Sequence, residues 1–199
     1  MDRASLGQEL IRRRDHDLAV RQRLLEEGTL SEGYNEEMRA VHEDNAAALE
    51  RYLDAYGFPT VAVAGQAVQA AAWLIAQHAV SRPPLLRRWR DLLAAQPPET
   101  LNERMLLAHL EDRIAVFEGR PQRYGTQFDW DERGQLSPQR TEDVVDVNRR
   151  RQELRLLPLA EQTERMRAQA VAEGLKPPAN RAERQQKMLA WLKEVGWTD

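Results

Sequence analysis

The chain contains no cysteine. That absence removes disulfides, zinc-thiolate sites and thiol nucleophiles together, and it suits a reducing compartment such as the cytoplasm. An excess of charge is equally scarce: 29 Lys and Arg stand against 32 Asp and Glu, a net charge of -3 over 199 residues. A field so nearly balanced does not draw in phosphate backbones, so general nucleic-acid binding is not expected. Uninterrupted apolar runs are missing too. The N-terminal segment MDRASLGQELIRRRDHD has no export-type hydrophobic stretch, and the greasiest run, Val61 to Ala79, is broken by Gly65, Gln66 and Gln69. Neither export nor a membrane span is expected, which leaves a soluble cytoplasmic protein.

Several common chemistries also lack their residues. The Glu-x-x-His pairs of dimetal bundles are absent, because Arg13, Arg39, Ile75 and Leu106 stand three positions before His16, His42, His78 and His109. There is no His-Glu-x-x-His, phosphate-cradling glycine loop, dinucleotide fingerprint or Gly-x-Ser-x-Gly elbow. No metal-ligand motif is assigned and the cofactor is unknown, although a mononuclear site combining His78 with scattered carboxylates stays open.

Helical period is what the chain does carry. Its 42% hydrophobic residues suffice for one ordinary core, read as a helical domain over 1–173 and a C-terminal linker with an amphipathic helix over 174–199. Ser5 and Gln8 resemble a capping box opening a first helix that runs through Leu10, Leu18 and Leu25 to Gly28. A second is expected from about Gly33 to Tyr56 on the face of Tyr34, Met38, Val41, Leu49, Tyr52 and Leu53, with Asn45 on that same face. The alanine-rich segment from about Gly65 to Ala79 has no charged face, so it is placed at the centre, surrounded by other helices. Pro84 to Gln96 and Thr100 to Gly119 make two more, with Thr100 and Glu103 as a cap. The pattern returns at Glu142 to Leu157, after Pro158, and from about Asn180 to Val195. From Gln122 to Arg140 the period changes, and Asp131 to Gly134 reads as the turn of a β-hairpin. The expected fold class is mainly α, a helical bundle around a central apolar helix with a small β-hairpin.

Polar groups set into apolar patterns need partners or a task. Gln77 and His78 close the greasiest run, and helical spacing puts His78 on the face of Ala71, Leu74 and Ile75. A histidine there is either a hydrogen-bonded core ring or a general acid or base, and Gln77 a scaffold amide or ligand contact. Asp112 and Arg113 interrupt the helix pattern LLAHLEDRIAVF. Asp112 reads as half of a structural ion pair, with Arg14 or another helix, or as a catalytic carboxylate; Arg113 reads as a guanidinium fork that holds an anionic group. Arg14 lies between Leu10 and Leu18 with Asp17 its nearest carboxylate along the helix, inside a run from Arg12 to Asp17 that reads as a solvated face. Asn45 is an inward amide that pins helices or touches a ligand. Tyr124, Gly125, Thr126 and Gln127 group a phenol, a hydroxyl and an amide around a glycine, which fits a hairpin-edge bulge or a ligand-orienting loop.

Taken together, RRRDHD, YGFPT, AAWLIAQHA, LEDRI, QRYGTQ and VVDVNRRRQELRLLPL resemble a bacterial domain family of unknown function, number 6624, from the first helix to about Leu159. The resemblance puts Gln77, His78, Asp112, Arg113, Tyr124, Gly125, Thr126 and Gln127 at signature positions; His109 lies near them but outside the pattern. It brings no activity, cofactor or partner with it. The expected function is an enzyme, of hydrolase or lyase type, or a small-ligand protein. Its pocket gathers His78, Arg113, Tyr124 and Gln127. His78 is the general acid or base, Arg113 holds a small anionic ligand, and Tyr124, Thr126 and Gln127 orient it. The alternative is a non-catalytic helical interaction module in which these groups lock helices and the tail stripe with Trp191 and Trp197 serves a homodimer or protein partner. Packing of that stripe on its own domain is the plainer use.

Overall fold

The computed structural model describes residues 2–29, 35–96 and 101–198. The expected helix start at Gly33 and Tyr34 and the expected cap at Thr100 lie outside them. Contacts group the chain into two compact units, Met1–Ala95 and Gln96–Asp199, so the boundary expected near residue 173 falls inside the second unit. Among the described residues the fold is mainly α, with nine helices and one two-stranded antiparallel sheet. No helix among them is long and apolar enough to cross a membrane.

In the first unit, helix α1 (Arg3–Glu26) is capped by Asp2 rather than Ser5. The Asp2 carboxylate accepts from Ser5 N at 2.8 Å, which makes Ser5 the third helical residue. Its buried stripe is Leu6, Leu10, Asp17, Val20 and Leu24; Leu18 and Leu25, expected to point inward, are 45% and 52% exposed. Seven-residue steps nearly complete two turns, so Leu10, Asp17 and Leu24 share a face, while Leu18 and Leu25 are rotated off it by about 100°. Helix α2 (Glu36–Tyr56) begins at an Asn35 cap and buries Met38, His42, Asn45, Leu49 and Tyr52 at three- and four-residue steps.

Gly65, at φ +82°, separates the single turn α3 (Val61–Ala64) from α4 (Gln66–His78). Helix α4 packs on α1, α2, α3 and α5 (Pro83–Ala94), which gives it the middle place expected within this unit. It is not surrounded along its whole length, however: Ala67 and Ala70 are exposed and burial begins at Val68. Alanine hides so little apolar surface that a face without charges can still meet water. Gly7 lets α1 come close to α4, since a Cβ there would sit 2.9 Å from Val68 Cγ2.

The second unit contains α6 (Leu101–Phe117), the hairpin β1 (Phe128–Trp130) and β2 (Leu136–Pro138), α7 (Val144–Glu153), α8 (Leu159–Ala172) and α9 (Arg181–Glu194). The strands pair Phe128 with Pro138 and Trp130 with Leu136, and the Asp131 carboxylate closes the turn by accepting from Arg133 and Gln135 N, both at 2.9 Å. Arg167 of α8 donates to Leu136 O at 2.9 Å, which ties the hairpin to a helix. The tail belongs to this unit: Leu192 and Trp197 are buried, and the Trp197 ring lies 5.0 Å from Phe117.

Candidate functional site

A carboxylate at 0% exposure must be paired, and Asp17 is such a group. Two other helices supply its partners. His78 Nδ1 lies 3.0 Å from Oδ1 and 3.1 Å from Oδ2, His42 Nε2 lies 3.4 Å from Oδ2, and Asn45 Nδ2 donates to Oδ2 at 3.2 Å. The two imidazoles face each other with centroids 4.7 Å apart and planes tilted by 39°. Burial by itself would raise the Asp17 carboxyl, but hydrogen bonds and charge from His42 and His78 outweigh it and hold the group well below the usual carboxylate range. Asp17 is therefore an anion at neutral pH.

The two rings differ in access. The His78 side chain, on the last residue of α4, keeps 27% of its surface exposed, against 10% for His42. A neutral imidazole whose Nδ1 faces a carboxylate carries its proton there, and the carboxylate fixes both tautomer and ring orientation while Nε2 turns away from it. The ligand atoms of Asp17, His42 and His78 all lie within 4.8 Å of one another, so these residues could also hold a cation.

The charged run on α1 divides accordingly. Arg12, Asp15 and His16 are exposed as a solvated face should be, but Asp17 is not. Arg14 does not reach toward it; its Nε and Nη2 both donate to Asp15 Oδ1, at 2.9 and 2.7 Å. Asp17 and His42 are the members of this cluster to which sequence motifs assign no task. The signal lies in the period, because Asp17 falls midway between Leu10 and Leu24 and His42 falls four residues after Met38 and three before Asn45.

Of the other candidate residues, Gln77 lies in the first unit and Asp112, Arg113, Tyr124, Thr126 and Gln127 lie in the second. Asp112 feels the charge of Arg151 on another helix, α7, but its hydrogen bonds go to the loop after α6. Its Oδ1 accepts from Arg123 N at 2.8 Å and Tyr124 N at 3.1 Å, and its Oδ2 accepts from Thr126 N at 2.9 Å and Thr126 Oγ1 at 3.0 Å. Four donors fill the acceptor positions of a carboxylate, which makes Asp112 a clamp on the loop. Buried Arg151 of α7 holds the same loop by its carbonyls, with Nη1 at 2.7 Å from Tyr124 O and 3.4 Å from Gly125 O, while its Nε donates at 2.6 Å to Leu157 O in the connection to α8. Fully buried Gln122 completes the frame, donating to Gln127 O and Gln139 O and accepting from Gln127 N at 2.7 Å. Arg113 Nε donates to Gln127 Oε1 at 3.2 Å, and Gln127 Nε2 donates on to Thr126 Oγ1 at 3.0 Å. The Tyr124–Gln127 loop is thus held from both its N–H and its C=O sides. Tyr124 keeps a half-buried phenol, whose proton burial makes harder to lose. Gln77, in the first unit, is half-buried beside His78 in the chain.

His109, one turn before Asp112 and Arg113, is the histidine beside this frame. Burial pulls it below its ordinary value of 6.5; Asp112 pushes it up, and Arg113 and Arg151 push it further down. A lowered folded value means that the unfolded chain binds the proton more readily. The stability this contributes is present above pH 6.5 and is lost as pH falls toward the folded value. Melting curves from pH 7.5 to 5 should therefore show a loss in the wild type that His109→Gln reduces; parallel curves would mean that His109 carries none of the pH dependence.

A family model described as a family of unknown function, DUF6624, matches residues 4–177, and the chain belongs to that family. No curated protein and no solved structure matches it.

Proposed function

We propose that this member of the DUF6624 family is a small-molecule enzyme or ligand-binding protein whose working centre is the Asp17, His42 and His78 cluster of the first unit. The observation that carries the reading is a fully buried carboxylate facing Nδ1 of a ring that keeps 27% of its surface exposed. A network that only locks helices together needs no exposed edge, and His78 has one. In such a dyad the carboxylate holds the ring still while the far nitrogen meets the ligand, by hydrogen bond or by proton transfer of the kind a hydrolase or lyase step requires. The ligand class is a small acid, which gives its O–H proton to the bare Nε2 and stays on as the anion, held by the Nε2–H so formed. Arg113, expected to hold the anionic group, lies in the second unit, where its Nε donates to Gln127 Oε1. A chain without cysteine suits work in the cytoplasm.

Long-range proton–nitrogen correlation spectra of the metal-free protein test this reading. We expect the His78 ring to carry its proton on Nδ1, and its Nε2 signal to move on titration with at least one of acetate, succinate, phosphate and phenyl phosphate. The movement should vanish in Asp17→Asn. A ring protonated on Nε2 with Nδ1 bare, or one that ignores the whole panel, counts against the proposal.

A further inference from the structure

We infer that the Asp17, His42 and His78 cluster is a binding centre for one late first-row divalent cation of the zinc type. The inference rests on the cluster being the working centre and specifies its occupant. Three observations carry it. The donors come from three helices of one unit, α1, α2 and α4, so the site depends on the fold and not on a floppy surface loop. Their spacing already suits a shared ion: His78 Nδ1 is 3.0 Å from Asp17 Oδ1 and His42 Nε2 is 3.4 Å from Asp17 Oδ2, with all three ligand atoms within 4.8 Å of one another. Zinc–nitrogen bonds of about 2.0–2.1 Å in a tetrahedron put neighbouring ligand atoms roughly 3.3–3.4 Å apart, close to the two nitrogen–oxygen separations of the cluster. The donor set itself is selective, because two imidazoles and one carboxylate suit zinc, iron, cobalt or nickel and not magnesium or calcium.

Asn45 adds the outer support such sites use, since its Nδ2 holds Asp17 Oδ2 at 3.2 Å. Charge points the same way. One carboxylate and two neutral rings total one negative charge, so a divalent cation leaves the centre with one positive charge. Three protein ligands also leave a coordination position open, the composition of centres that receive a ligand rather than of closed structural ones. The class of ligand that position takes is an oxygen anion, a carboxylate or a phosphate. When bound through the inner nitrogens, the cation supplies Lewis acidity, and His78 Nε2–H is left as a hydrogen-bond donor beside it.

Calorimetric titration of the chelator-treated, full-length chain with zinc chloride, and separately with cobalt chloride followed by its visible spectrum, tests the site. We expect one ion per chain with micromolar or tighter affinity and a tetrahedral cobalt spectrum. His42→Gln, His78→Gln and Asp17→Asn should each weaken zinc by at least ~100-fold, whereas His16→Gln and His109→Gln, which remove the other two histidines, should leave it unchanged. Circular dichroism of each variant separates loss of the site from loss of the fold, and the wild-type titration needs no variant at all. Absence of binding to the wild type, or binding that survives His42→Gln and His78→Gln in folded protein, overturns the cation. If the cation fails while the His78 ring still responds to the anion panel, the working-centre reading stands without it; a silent ring sinks both.

Discussion

Replacing Asp112 by alanine is expected to cost the second unit about 3–5 kcal/mol, more than any single substitution within the loop that this carboxylate holds. The figure follows from the number of groups stranded. Three backbone N–H groups and one hydroxyl, from Arg123, Tyr124 and Thr126, converge on the two carboxylate oxygens. Each partly buried donor left without an acceptor costs on the order of 1–3 kcal/mol, reduced where water can enter. Asp112→Asn should recover little, because its amide would turn two donors toward either the Oδ1 pair or the Oδ2 pair. Thr126→Val removes one of the four bonds, together with the bond its hydroxyl accepts from Gln127 Nε2, and should cost about 1–2 kcal/mol. Amide hydrogen exchange at Arg123 to Gln127, read alongside urea unfolding, checks the order Asp112→Ala, then Asp112→Asn, then Thr126→Val. Exchange rates there that match wild type in Asp112→Ala would mean that the carboxylate does not clamp the loop.

This loop shows where the sequence is legible and where it is not. The hairpin is readable from Asp131 to Gly134, because that turn is local: one aspartate bonds backbone groups two and four residues on. The role of Asp112 is not, because its partners are backbone amides 11 to 14 residues away and no side-chain pattern records them. An inward-facing carboxylate suggests a search for an arginine, and the fold answers with peptide N–H groups instead. Helix positions are largely legible from apolar period, as for α2, α5, α7 and α9.

In the first unit the difficulty is different. Along the chain Asp17 reads with its charged neighbours Arg12 to His16, although its helical neighbours are Leu10, Val20 and Leu24. His42 reads as the failed half of a Glu-x-x-His motif, although it continues the Met38, Asn45, Leu49 stripe. His78 alone stands out, because it ends a run with no other charge. Short motifs are read along the chain, whereas a site gathered from three helices is read across it. Five of the eight signature positions accordingly divide by task. Asp112, Gly125, Thr126 and Gln127 are explained by the frame they build, and the chemistry is sought where His78 meets Asp17.

Gly125→Ala provides the sharpest check on that division, with an expected loss of about 2–4 kcal/mol. Two terms contribute. Gly125 has φ +65°, where an L side chain costs roughly 1–2 kcal/mol. An added Cβ would also lie 2.6 Å from Leu159 Cδ1, closer than packed carbons can sit, so the buried leucine at the start of α8 must shift. Overpacking of this kind costs on the order of 1–3 kcal/mol. The terms separate in a double-mutant cycle. Leu159→Ala alone creates a cavity and should cost about 2–4 kcal/mol, but in the Gly125→Ala background it should cost about 1–2 kcal/mol less, because it relieves the clash and leaves only the backbone strain. A coupling near zero would mean that α8 accommodates the methyl freely and that glycine is present for another reason, such as close approach of a ligand to the loop. That outcome would return Tyr124, Thr126 and Gln127 to the search for a binding surface; strong coupling keeps them as scaffold.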